Sequence, residues 1–416
     1  MHGDWMPDEP GGKVAYMRVV ATSEHRFDGT PDGAIWTLGA FSYSFWRRYL
    51  SVFDHVRVVA RVRKVAQPFP DWQRADGDAV SFLPVPYYLG PWQYLLRRRQ
   101  VHTAVRQGIR EGEAVILRVP SQIAGAVEPV LRRTGRPYGL VVVVDPYDAY
   151  AAKSVQVPFR PLVRWWMARR LRRRCASASA VAYVTKEALQ RRYPPPPGAF
   201  TTSFSDVELP HSAFVPRPRK PDPAKDSFTL VTVCSLAYLT KGPDVLIDAL
   251  ATCVQQGLDL RLVLVGEGRY RAAMQARAIS LGIGERVRFT GQLPSGAPVR
   301  EQLDQADLFV LPSRAEGLPR SMIEAMARGL PCIGCTVGGV PELLPPEDLV
   351  APNDVRGLAL RILQVLGDPE RMALMSERNL AAAREYREDV QSPRRDAFCR
   401  YVLQRTEAWQ SKRAPE

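Results

Sequence analysis

Short apolar runs alternate with longer segments of helical period, and they do so twice, on either side of a proline-dense stretch. No other feature restricts the fold as strongly. In the first half, strands are expected at residues 17–22, 56–60, 80–85, 114–119, 140–144 and 180–184, with helices over 34–50, 91–107, 123–133 and 161–174. In the second half, strands are expected at 229–233, 261–265, 287–290, 308–311 and 332–334. Helices there start near Pro243, Tyr270, Val299, Pro319 and Val355, and residues 369–411 read as helical with no further strand. Such alternation is that of parallel βα units.

The proline-rich PHSAFVPRPRKPDPAKD can continue neither a sheet nor a helix. The expected organisation is therefore a tail over 1–13, a Rossmann-like domain over 14–209, a linker over 210–227, a second Rossmann-like domain over 228–385 and a C-terminal helix over 386–416. Two doubly wound α/β domains face each other across a cleft at the carboxyl ends of both sheets, the usual place for chemistry in such folds.

Composition narrows the class. With 416 residues, 46% hydrophobic and 24% charged, the chain is neither disordered nor fibrous. Its six cysteines, at 175, 234, 253, 332, 335 and 399, are too scattered for a disulfide framework. The first residues lack the apolar stretch of a signal peptide, and no run reaches the roughly 18 residues of a membrane span. A cytoplasmic protein is expected. The net charge is +14, and it is unevenly spread. Residues 1–208 carry 30 basic and 18 acidic side chains, against 27 and 25 in residues 209–416. The two halves should meet different partners.

The most informative window is LFVLPSRAEGLPRSMIEAMARGLP, residues 308–331. A buried strand ends near Leu311, a loop follows, and Pro319 suits the first turn of a helix. The amides of Arg320 and Ser321 then sit at a positive helix end, ready for phosphate. Glu316 precedes that end and Glu324 lies about one and a half turns inside it. Two carboxylates flanking a phosphate-ready helix suit a ligand with a diphosphate and hydroxyls. Spacing alone leaves open that Glu316 is a helix-start acid and Glu324 a surface residue.

Together with VTVCSLAYLTKGPDVLIDAL (231–250), LVLVGEGRY (262–270), RVRFTGQLP (286–294) and TVGGVPELL (336–344), this window resembles the donor domain of glycosyltransferase family 4, retaining enzymes of the GT-B fold. The resemblance covers residues 228–385. It implies that Glu316 contacts the transferred sugar, that Glu324 binds the ribose hydroxyls, and that Lys241 and the amides of Arg320 and Ser321 hold the diphosphate. Gly266 would line the nucleotide pocket, and Gly291 would mark the backbone that meets the base. The donor would be a UDP- or GDP-linked sugar, with no further cofactor and no metal. Where the family has a second phosphate-binding arginine this chain has Leu236, and Arg320 is the candidate to replace it.

Neighbouring motifs have plainer readings. Cys332-Ile-Gly-Cys335 lies along a strand and reads as core. Asp76-Gly-Asp78 reads as a turn rather than a metal site, and GEGRYR breaks the dinucleotide fingerprint at Arg271.

The first half is less committal. Asp145 and Asp148 follow a strand end, where Asp145 can bind the sugar, serve as a catalytic base or cap a turn. Arg118 ends another strand, facing the acceptor or forming a structural ion pair. His25, Gly29 and Gly33 lie in residues 24–33, the place of the family's glycine-rich loop, and are expected at the acceptor. The arginine-rich segment with Trp165 and Trp166 is expected to pack its aromatic side on the sheet. Contact with an anionic membrane, or guidance of a glycan or lipid-linked acceptor, is its other reading. Nucleic acid is disfavoured for want of a recognisable binding module. The function expected is retaining sugar transfer to an acceptor hydroxyl in polysaccharide or glycoconjugate assembly. The alternatives are another GT-B activity, such as sugar-nucleotide epimerisation, and a non-catalytic sugar-nucleotide-binding protein.

Overall fold

Strands buried on both faces need apolar side chains at every position, and the runs LVTV, LVLV and LFVL meet that demand. The computed structural model describes residues 17–150 and 159–413, so the tail expected over 1–13 lies outside the described residues. The first sheet holds β1 (Arg18–Gly29), β2 (Ile35–Thr37), β3 (His55–Lys64), β4 (Gln73–Arg74), β5 (Val80–Val85), β6 (Ala114–Val119), β7 (Gly139–Val142), β8 (Ala180–Tyr183) and β9 (Phe200–Ser203). Its parallel path runs β5-β3-β1-β6-β7-β8-β9, while β2 and β4 extend it as short antiparallel strands. The helices of this half are α1 (Tyr43–Arg47), α2 (Gly90–Gly108), α3 (Gln122–Thr134), α4 (Pro146–Ala149), α5 (Arg160–Cys175) and α6 (Ala188–Arg192).

The second sheet is wholly parallel. It comprises β10 (Ser227–Val233), β11 (Asp259–Val265), β12 (Val287–Gly291), β13 (Leu308–Leu311), β14 (Cys332–Cys335) and β15 (Leu349–Val350), in the order β12-β11-β10-β13-β14-β15. That order reverses between β10 and β13, the switch point at which such sheets bind ligands. Around it lie α7 (Pro243–Gln255), α8 (Arg271–Ser280), α9 (Ala297–Asp304), α10 (Arg320–Ala327), α11 (Val355–Leu366) and α12 (Pro369–Ala383). The last helix, α13 (Glu388–Ser411), packs Phe398, Cys399 and Val402 into the core of the first sheet.

Residues 210–226 are strapped down. The Arg219 guanidinium donates to the carbonyls of Arg328 and Leu303, at 2.9 Å each, at the carboxyl ends of α10 and α9.

Three expectations for the first half change. The helix expected over 34–50 is strand β2, a loop and the five-residue α1, because Gly39 and Phe41 adopt left-handed backbone, at φ 92° and 68°. The loop expected over 24–33 begins as strand: β1 bulges between Thr22 and Arg26 and resumes pairing with β3 to Gly29. Trp165 and Trp166 do not pack on the sheet; they are 56% and 50% exposed.

Candidate active site

At the switch point the β10–α7 and β13–α10 loops meet. Lys241 Nζ lies 2.6 Å from each carboxylate oxygen of Glu316, and the Ser313 hydroxyl donates to Glu316 Oε1 at 2.6 Å. Glu316 is nearly fully buried, 3% exposed. Arg314 ties the loops together: its guanidinium pairs with Asp244 at 2.7 and 2.8 Å, and its amide donates to Thr240 O at 2.7 Å. Gly242 and Gly338 let the chains close. A Cβ at Gly242 would lie 2.1 Å from Pro312 O, and one at Gly338 would lie 2.2 Å from Glu316 O.

The amino end of α10 opens onto this pair. Among the described residues no side chain caps α10, as none caps α7 or α9 around the same sheet. The first α10 amides bonded within the protein are those of Met322 and Ile323, both to Pro319 O. A helix start enclosed by the buried residues 317–319 and left uncapped is prepared for an anion.

Glu324, one turn further, is half-buried, and among the described residues its carboxylate accepts no hydrogen bond. Burial raises its pKa above the ordinary carboxylate value, against the opposing fields of Arg320 and Arg300. Gly266 and Gly291, both with left-handed φ, are brought together at the ends of β11 and β12, where Gly266 N donates to Gly291 O at 2.9 Å. Leu236 is buried in the core, while Arg320 lines the same cavity as Lys241 and Glu316.

That cavity, about 310 Å³, is closed on its other side by Phe41, Arg118 and Asp206 of the first half. Arg118 is buried and makes a two-pronged ion pair with Asp206, one contact at 3.0 Å, while both residues line the cavity. Asp145 is also committed. Its Oδ1 caps α4 through Tyr147 N at 2.8 Å and accepts the Tyr193 hydroxyl at 2.5 Å, and its Oδ2 is held by Arg192. These contacts hold Asp145 against α4 and α6, outside the cavity lining. Asp148 leans on Arg192 at 3.3 Å, and burial raises its pKa.

His25 lies within the β1 bulge, bonded to the Thr37 hydroxyl at 2.8 Å and against the ring of Phe41. Burial, aided by Arg320, Arg26 and Arg61, lowers its pKa to about 3, so the ring is neutral near pH 7. Gly29 and Gly33 belong to the β1–β2 hairpin, away from the cavity lining. Cys332 and Cys335 are buried strand residues, and Asp76 accepts Ile35 N at 2.9 Å in a turn.

Residues 227–368 match the family described as glycosyl transferases group 1. Protein CapJ of Staphylococcus aureus is 25% identical over 321 residues, 76% of this chain and 78% of CapJ. WaaG, a glycosyltransferase involved in lipopolysaccharide biosynthesis, superposes with a TM-score of 0.62 at 17% identity, over 91% of this chain and 98% of WaaG. HepE of Anabaena, solved with UDP and glucose, superposes with a TM-score of 0.61 at 18% identity, over 95% of this chain and 99% of HepE. Residues 227–368 are thus a group 1 glycosyltransferase domain, in a glycosyltransferase whose fold is GT-B.

In this glycosyltransferase the loop 38–42 is a part of the site that sequence reading missed. Gly39 approaches the second half, where a Cβ would lie 3.4 Å from the Gln292 side chain. Phe41 holds its ring between two cations, 5.5 Å from Arg118 and 5.4 Å from Arg320. A non-glycine residue in left-handed backbone at a cleft is a known mark of function. Its signal in the sequence was the Leu-Gly-Ala-Phe-Ser run inside a segment of helical period.

Proposed function

We propose that the glycosyltransferase moves a sugar from a nucleoside diphosphate donor, UDP- or GDP-linked, to an acceptor hydroxyl with retention of anomeric configuration. The observation that carries this reading is the Lys241–Glu316 pair set at 2.6 Å before an uncapped helix start at the sheet switch point. Lys241 and the amides of Arg320 and Ser321 neutralise the diphosphate, with Arg320 as the second cation in place of Leu236. Glu316 receives a sugar hydroxyl, and Glu324, whose carboxylate accepts no hydrogen bond among the described residues, receives the ribose hydroxyls. Gly266 and Gly291 leave room for the nucleoside beside β11 and β12. The presence of UDP in HepE, a chain of the same fold, supports a donor of this class.

Chemically, the bond from the anomeric carbon to the diphosphate oxygen breaks while the acceptor oxygen bonds to that carbon on the same face. The acceptor proton passes to an oxygen of the leaving diphosphate, whose charge Lys241 and the helix amides stabilise. No step requires a metal ion. The acceptor is a glycan or a lipid-linked glycan, in keeping with the involvement of WaaG in lipopolysaccharide biosynthesis.

The test is a panel of UDP-, GDP- and ADP-sugars, read by release of nucleoside diphosphate with and without glycan acceptors, and by NMR of the product's anomeric proton. Acceptor-dependent release that survives EDTA, with retained configuration, is the expected result. An inverted product, or release abolished by EDTA, contradicts the reading.

A further inference from the structure

Two helices of the first half turn apolar side chains outward. In α2, Trp92, Leu95 and Leu96 recur at helical spacing on the exposed face, and Leu96 is 86% exposed. In α5, Leu162, Trp165 and Trp166 repeat the same three-then-one spacing on its exposed face. One turn further, each stripe meets an arginine, Arg99 in α2 and Arg169 in α5. Phe159, just before α5, is also exposed. The inner face of α5 buries Leu171 and Cys175 beside Arg174, which is paired with Glu128 of α3 at 3.0 Å. Surface helices ordinarily turn their apolar stripe to the core, and exposed apolar surface of this extent marks a docking site.

The stripes share one side of the domain. α2 packs on α3, α5 is pinned to α3 through Arg174, and both Arg98 of α2 and Arg170 of α5 bear electrostatically on Tyr94. Neither helix contains an acidic residue, while α2 has four arginines and α5 has seven. Arg98, Arg99, Arg169 and Arg173 make no ion pair among the described residues. The adjacent acid, Glu128, is already paired with Arg132 and Arg174.

The occupant must therefore be apolar within and anionic at its surface. A second copy meeting this face symmetrically would set arginine against arginine. Nucleic acid gives Leu95, Leu96 and Leu162 no apolar layer to enter. We infer that α2 and α5 dock the enzyme on an anionic lipid bilayer, with the tryptophans and leucines at the headgroup boundary and the arginines on lipid phosphates. The cleft then opens near the membrane. α5 packs against α4, whose Ala149 lines the cavity, and Arg164 of α5 stacks on Tyr147 of α4 at 3.9 Å. A lipid-held acceptor would reach the site along this edge.

The test is co-sedimentation of the full chain with vesicles of phosphatidylglycerol and phosphatidylcholine, against phosphatidylcholine alone. Binding to the anionic vesicles only, weakened by salt, is expected. The exposed-residue variant L95S/L96S/W165A/W166A should lose ~10-fold or more of that binding, with unchanged Tm and nucleotide-sugar affinity. The inference is overturned if the wild type stays in the supernatant with both vesicles, or if the variant sediments as well as the wild type. It is equally overturned if the variant instead abolishes a dimer seen by light scattering, or binding to duplex nucleic acid, in a chain that ignores vesicles. Vesicle binding needs no turnover, so its failure would leave the donor reading intact.

Discussion

Lys241 Nζ sits 2.6 Å from both carboxylate oxygens of Glu316, so in the ligand-free enzyme each charge satisfies the other. The pair is asymmetric: the lysine side chain is 32% exposed and the glutamate 3%. On the proposed reading, entry of a diphosphate would give Lys241 a second anion and leave Glu316 open to the sugar. Lys241→Ala should strand a buried carboxylate and cost about 1–3 kcal/mol of stability. Lys241→Ala/Glu316→Gln should recover most of that stability without recovering donor binding. Thermal denaturation of the two single variants and the double variant gives the coupling; an additive result would show that the pair is not energetically linked.

Glu324 is a carboxylate whose burial cost is uncompensated until ligand arrives. Its pKa is raised by that burial, so as pH rises the unfolded chain ionises first and stability is lost between the two pKa values. Glu324→Gln is therefore expected to raise Tm at pH 7 and to match the wild type in acid, where Glu324 is protonated. A lower Tm at pH 7 would mean that an unseen partner holds the carboxylate.

His25 titrates with the opposite consequence. Its folded pKa of about 3 lies below the ordinary 6.5, so the unfolded chain takes up a proton that the folded chain refuses. Stability is fully present above pH 6.5 and is lost as pH falls toward 3. His25→Gln keeps a polar group for Thr37 and should flatten the pH dependence of unfolding across that window. An unchanged slope in chemical denaturation would contradict the burial of a neutral ring.

Two glycines separate packing from local turn geometry. A Cβ at Gly266 would lie 1.8 Å from Cys234 O, whereas at Gly33 it meets nothing within 4 Å. Gly266→Ala should therefore distort the β11 end and impair donor binding together with stability. Gly33→Ala should cost only the left-handed strain of about 1–2 kcal/mol and leave transfer kinetics unchanged. Steady-state kinetics and melting curves of both variants check this.

The second half was legible because its strands are buried on both faces and its switch-point loops are local in sequence. The strand Leu308–Leu311, Glu316, Pro319 and Glu324 all fall within 17 residues, so strand, loop and helix start could be read from one window. The first half hides its contacts in distance. Asp145 is consumed by Arg192 and Tyr193, 47 and 48 residues away, and Arg118 by Asp206, 88 residues away. Phe45, Trp46 and Tyr49 have helical spacing, which extended the expected helix across a loop set by Gly39 and Phe41. At Trp165 and Trp166 the amphipathic rule misled, because these side chains face outward from the sheet.

The account turns on nucleotide-sugar binding at the second-sheet switch point. Isothermal titration of UDP- and GDP-sugars into the wild type and Glu324→Ala tests it most directly. One donor should bind the wild type, and the variant should bind it ~10-fold or more weakly, as befits loss of hydrogen bonds to a charged acceptor. Equal affinities for the two proteins would place the donor elsewhere and contradict the site described for Lys241, Glu316 and Glu324.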